Sequence, residues 1–181
     1  MTRAALFLLV LPIVAPAQTS SLGSWHAFQK ATVVLRHARC MNCHIPGDSP
    51  LNGASGDVHA MRVKRGADGQ GTPVMRCATC HQETNGELPH SPPGSREWKL
   101  PPPQTKMAWV GLNDRQLCRA LLDSKINGGM TREKIVNHMN ADPRVLWAWA
   151  PGPGRDAPPL GHREFVELIG IWIERGASCA P

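Results

Sequence analysis

The chain has no tyrosine and only 3 phenylalanines among its 181 residues. Most of the aromatic surface it buries must therefore come from its 6 tryptophans, each with a large apolar face and a single N–H donor. No apolar stretch reaches the roughly 20 residues that a bilayer-spanning helix needs. Beyond a short N-terminal segment, no stretch approaches the length of a spanning helix. Twenty Lys and Arg against 14 Asp and Glu give a formal charge of +6. The basic residues are scattered rather than blocked together, so this charge does not argue for a nucleic-acid partner. It reads as a solubilising surface. No Gly-x-Ser-x-Gly nucleophile motif occurs, and no other catalytic constellation stands out. Helix breakers are plentiful: 17 Gly and 17 Pro imply long irregular connections.

What the chain does have is cysteine in a telling arrangement. Cys40-Met41-Asn42-Cys43-His44 and Cys77-Ala78-Thr79-Cys80-His81 both read Cys-x-x-Cys-His, the attachment signature of c-type haem. Two thiols one helical turn apart can add across the two vinyl groups of a porphyrin. The adjoining imidazole then lies under the macrocycle as the proximal iron ligand. The expected cofactors are two covalently attached haem c groups, held by Cys40, Cys43, Cys77 and Cys80, with His44 and His81 as proximal ligands. Four thiolates could instead surround zinc. The two pairs are spaced more widely than in a zinc ribbon, and zinc does not require a His after each pair. Haem propionates would also offset part of the positive charge.

The N-terminus supports the same reading. Met1-Thr2-Arg3 is a short positive leader, Ala4 to Val14 is apolar, and Ala15-Pro16-Ala17 is a small-x-small cleavage site. Residues 1–17 are expected to form a signal peptide cleaved near Ala17, leaving 18–181 as one exported, periplasmic domain. The other reading is an uncleaved N-terminal anchor. Haem attachment of the c type is expected in that same exported compartment.

The organisation is mainly α with long irregular loops. A helix over 24–38, capped by Ser24, would run into the first motif. From Ile45 to Met75 no period is sustained, and a loop is expected with a short turn near His59 to Val63. Thr84 to Pro103, with six prolines, reads as a rigid extended connection. Asn113 and Gln116 resemble a capping box that opens a helix to about Ser124. Thr131 caps a shorter helix carrying Ile135, His138 and Met139 on one face, with Pro143 after its end. Phe165, Leu168, Ile169 and Trp172 mark the last helix, with Gly176 as its stop. Both motifs precede position 82. One domain whose C-terminal helices wall both haems is therefore preferred over two tandem domains.

Cys118 and Cys179 lie outside the motifs. In an oxidising compartment they most simply form a disulfide, the other reading being two free buried thiols. For the distal side of the irons the sequence offers His26, His37, His59, His90, His138 and His162, with Met61, Met107, Met130 and Met139. His59, in a polar loop beyond the first motif, and His138, on an apolar helix face, are the expected distal ligands. Met61 or Met107 is the thioether alternative.

The export signal with paired motifs resembles small periplasmic dihaem cytochromes c. Met107-Ala108-Trp109, Leu117-Cys118, Asn127-Gly128-Gly129, His138, Val145-Leu146-Trp147-Ala148-Trp149 and Trp172-Ile173-Glu174-Arg175-Gly176-Ala177-Ser178-Cys179 look like a bacterial group. Its members are labelled as subunits accompanying isoquinoline 1-oxidoreductase-type molybdenum hydroxylases. The resemblance covers most of the exported chain. It implies an electron relay between a redox donor and acceptor, the donor a molybdenum hydroxylase, rather than an enzyme. The contrasting classes are a small peroxidase-like haem enzyme and a haem sensor, each requiring one open iron position.

Overall fold

The computed structural model describes residues 16–180. The expected leader lies outside these residues except for its last two. Six α-helices carry most of the regular structure. Helix α1 (Pro16–Leu35) begins eight residues earlier than its sequence pattern suggests and ends before the first motif. Ser24 is not its cap. The residue is fully buried in mid-helix, where its hydroxyl donates to the Trp172 carbonyl at 2.7 Å and accepts from the Ser178 N–H at 2.9 Å. Tertiary partners thus take up the hydroxyl that a cap would have used. At the other end, His37 turns to an extended backbone, and its ring nitrogen accepts from the Arg39 N–H. This caps a separate short helix, α2 (Ala38–Met41), which carries Cys40.

Helix α3 (Asp114–Leu122) opens on Asn113, with both reciprocal bonds of the expected capping box to Gln116. Substituting Asn113 by Ala is expected to cost about 1 kcal/mol in urea unfolding. A change within experimental error would show that the box is dispensable. Helix α4 (Arg132–Ala141) is capped by Thr131. Pro143 ends it, as expected, and also starts α5 (Pro143–Leu146) as that helix's first residue, where its missing N–H costs nothing. Helix α6 (His162–Glu174) closes with Gly176 at φ +103°. Gly176 N–H bonds the Ile173 carbonyl and Ala177 N–H the Trp172 carbonyl, a Schellman stop.

The core lies between α1 and α6, which pack along one another. Phe28, Ala31, Val34 and Leu35 of α1 meet Phe165, Ile169 and Trp172 of α6. The Phe28 and Trp172 ring centres are 4.8 Å apart. Each large apolar side chain buried there contributes about 1.5–3 kcal/mol. Leu117 and Leu121 of α3 and Ile135 and Met139 of α4 complete the cluster. A disulfide joins Cys118 to Cys179, with Cα atoms 5.5 Å apart, tying α3 to the segment after α6.

The stretch between the motifs has the expected short turn, with the Arg62 N–H on the His59 carbonyl at 2.8 Å, but is not otherwise only loop. It forms two small antiparallel hairpins. Strand β1 (Leu51–Asn52) pairs with β2 (Asp57–Val58), and β3 (Gly71–Thr72) with β4 (Met75–Arg76). Such short ladders leave no periodic trace in a sequence. Gly69, at φ +80°, lets Leu100 come close enough to donate its N–H to the Gly69 carbonyl at 2.9 Å. A Cβ there would sit 2.1 Å from the Leu100 carbonyl oxygen. That contact fastens the proline-rich connection beside the second motif. Among the described residues no helix is long and apolar enough to cross a membrane.

Candidate functional site

Each Cys-x-x-Cys-His segment folds as one turn. Cys43 N–H and His44 N–H both bond the Cys40 carbonyl. Cys80 N–H and His81 N–H both bond the Cys77 carbonyl. The first turn belongs to α2, the second to a 3-10 turn over Cys77–Thr79. Positions three apart on such a turn share a face, so both thiols of each pair point to one side. All four cysteines are free thiols. Burial pushes Cys40 up to about 12 and Cys43 up to about 11, so both stay protonated near neutral pH.

The two motif histidines are held alike. His44 Nδ1 lies 3.0 Å from the Met107 carbonyl oxygen, and His81 Nδ1 lies 2.7 Å from that of Pro93. A carbonyl only accepts, so Nδ1 carries the proton on each ring and Nε2 keeps a free lone pair. An imidazole anchored this way is prepared for metal. His44 stacks on Trp109 with ring centres 3.7 Å apart and planes parallel. His81 stacks on Trp98 at 4.6 Å and 9°. Burial lowers both imidazoles, His44 to about 3, which keeps them uncharged and able to ligate.

A cavity adjoins each motif. The first, about 350 Å³, is bounded by Cys40, Cys43, His44, Trp109, His138 and Met139. The second, about 260 Å³, is bounded by Cys77, Cys80, His81, His59, Trp98 and Trp147. Arg39, Cys43, Lys99 and Leu100 line both, so the cavities share a wall. Basic side chains frame them: Arg39 at both, Arg76 and Arg155 at the second, Arg144 at the first. Behind the first motif Arg65 is 1 % exposed. It donates to the carbonyls of Ile45, Gly47 and Pro101, pinning the chain after His44 to the proline-rich connection.

His59 and His138 stand one in each cavity. The His59 and His81 ring centres are 6.2 Å apart. Two imidazoles bound to one metal from opposite sides, through bonds of about 2.0 Å, have centres about 6 Å apart. His59 Nδ1 is buried without a hydrogen-bond partner, and burial lowers its pKa. His138 Nδ1 bonds Asp142 Oδ2 at 3.1 Å. Asp142 also accepts from Arg144 Nε at 2.9 Å. Burial pushes the Asp142 carboxyl up, but the hydrogen bonds from Arg144 and His138 outweigh it and hold the group well below the usual carboxylate range.

The other histidines are engaged elsewhere. His37 caps α2, His162 Nε2 meets the Met139 carbonyl oxygen at 3.0 Å, and His26 and His90 are exposed. Of the thioether alternatives, Met61 lines the second cavity but is 62 % exposed. Met107 lines the first, on the side where its carbonyl anchors His44. Among the described residues no three His, Cys, Asp or Glu side chains converge as a zinc centre requires. A haem needs only one or two axial side chains and a flat apolar cleft, and the cavities, thiol pairs and anchored imidazoles fit that group.

Sequence reasoning missed Trp98, Trp109 and Asp142. Asp142 follows His138 by four positions, a helical neighbour spacing that could have revealed it. Trp98 lies in an aperiodic segment and carried no such signal. No protein-family model, curated protein or solved structure matches the chain.

Proposed function

We propose that this chain is an exported dihaem c-type cytochrome that relays single electrons between redox partners. The observation that carries the reading is the repeated construction. Two thiol pairs, two carbonyl-anchored imidazoles and two stacked tryptophans face adjoining cavities with a common wall. Bound covalently through those thiols, each haem supplies a one-electron iron couple. Cys40 and Cys43 hold one group and Cys77 and Cys80 the other, with His44 and His81 as proximal ligands and His138 and His59 opposite them. Arg39, Arg144 and Arg155 are the partners for propionates. The wall shared through Cys43 and Leu100 keeps the two groups close, as relay requires. The sequence resemblance points to a periplasmic molybdenum hydroxylase as the donor.

Intact-mass measurement of the holoprotein after acid-acetone extraction is the direct test. Two covalent haem increments per chain are expected. One increment, or none, would refute the proposal.

A peroxidase-like enzyme or sensor is the second reading. One observation favours it. His59 has no partner at Nδ1 and lies between exposed Val58 and Met61, so the second site is where an open iron would lie. Carbon monoxide binding by the unaltered protein would favour that reading over relay.

A further inference from the structure

The two candidate distal histidines differ in what stands behind them. His138 sits on α4 with Asp142 one turn later. Asp142 is itself immobilised: its backbone closes α4, its side chain caps α5 through the Arg144 N–H, and the Arg144 guanidinium grips the same carboxylate. Side-chain exposure of Asp142 is 14 %. His59 has none of this. It lies in a loop, and its buried Nδ1 meets no acceptor.

Resting on the dihaem reading, we infer that Asp142 is a positioning residue that orients His138 and raises its basicity at the His44 site, with no counterpart at the His81 site. The carboxylate fixes the tautomer with the proton on Nδ1 and leaves Nε2 with its lone pair, on a ring that lines the cavity. A hydrogen bond to an anion pushes electron density into the ring, which makes it a stronger donor. A stronger donor favours the ferric state. Asp142 therefore lowers one reduction potential and leaves the other alone.

The test compares the holoprotein with Asp142→Asn. Asparagine caps a helix as well as aspartate does, so α5 is preserved while the charge is lost. Spectroelectrochemical titration should show one of the two potentials rising by about 59 mV, a tenfold shift in the one-electron equilibrium, with the other unchanged. Loss of the low-spin ferric signal in His138→Ala identifies which haem has moved. A double-mutant cycle separates action through His138 from simple loss of a nearby charge. In His138→Ala protein supplied with imidazole as the iron ligand, adding Asp142→Asn should shift the potential far less.

A shift that persists in full without His138 would overturn the inference, as would two equal shifts or none. Protein that carries no haem would overturn the dihaem reading and this inference together. Protein that carries both haems but ignores the substitution would overturn this inference alone.

Discussion

Replacing His138 by alanine should leave both haems covalently attached yet turn one iron high-spin and open to carbon monoxide. The expected change is complete at that site and absent at the other, because the two cavities have separate His pairs: His44 with His138, and His81 with His59. On the proposed reading the covalent bonds would be made by Cys40 on α2 and Cys43 just after it, far along the chain from α4, so attachment is expected to survive. His59→Ala should do the same at the second site. There the ring centres of His59 and His81 are 6.2 Å apart. In the unaltered protein both irons are expected to be low-spin and closed. An unchanged absorption spectrum in either variant would remove that histidine as a ligand. A near-infrared band of methionine-to-ferric-iron ligation would assign the place to a thioether instead, Met61 being the one that lines the same cavity as His81. Two imidazoles per iron imply lower potentials than His/Met ligation, which suits accepting electrons from a low-potential partner.

Removing the disulfide with Cys118→Ala and Cys179→Ala should cost about 4 kcal/mol of stability, from loop closure over a sequence separation of 61. Denaturant unfolding of the oxidised protein and the double variant, both with haem bound, measures it. The effect should be large because the bond spans the outer edge of the helical core. Cys118 is fully buried on α3, and Cys179 follows the Schellman stop of α6 beside Ser178. Ser178 in turn bonds Ser24 of α1 through its N–H and Trp172 through its carbonyl. Without the bridge, that tail keeps those hydrogen bonds, the Ala177 N–H bond to the Trp172 carbonyl and the packing of Ala177 in the core. A loss below about 1 kcal/mol would mean that the unfolded chain gains little freedom when the bridge is cut.

Much of the helical half was legible because its signals are local. The Asn113–Gln116 box, the Thr131 cap, the stripe on α6 and the Gly176 stop each depend on residues within a few positions of one another. All four appear in the structure as read. The start of α1 and the two hairpins were not legible. Ser24 has a cap's chemistry, but its partners lie about 150 positions away on α6 and beyond it. Two-residue strands are too short to alternate.

The candidate site divides along the same line. The sequence by itself determined which atoms can bond covalently to a porphyrin and which imidazole follows each thiol pair, because that chemistry is confined to five consecutive residues. It also singled out the two cysteines left over for a bridge. Only the tertiary structure decided that His44 leans on Trp109 and the Met107 carbonyl, that His81 leans on Trp98 and the Pro93 carbonyl, and that the two cavities share Arg39, Cys43 and Leu100. The reason is physical. A bond or a helical turn is specified by neighbours in the chain. The wall of a cavity is specified by whichever distant segments the core and the buried Arg65 bring together.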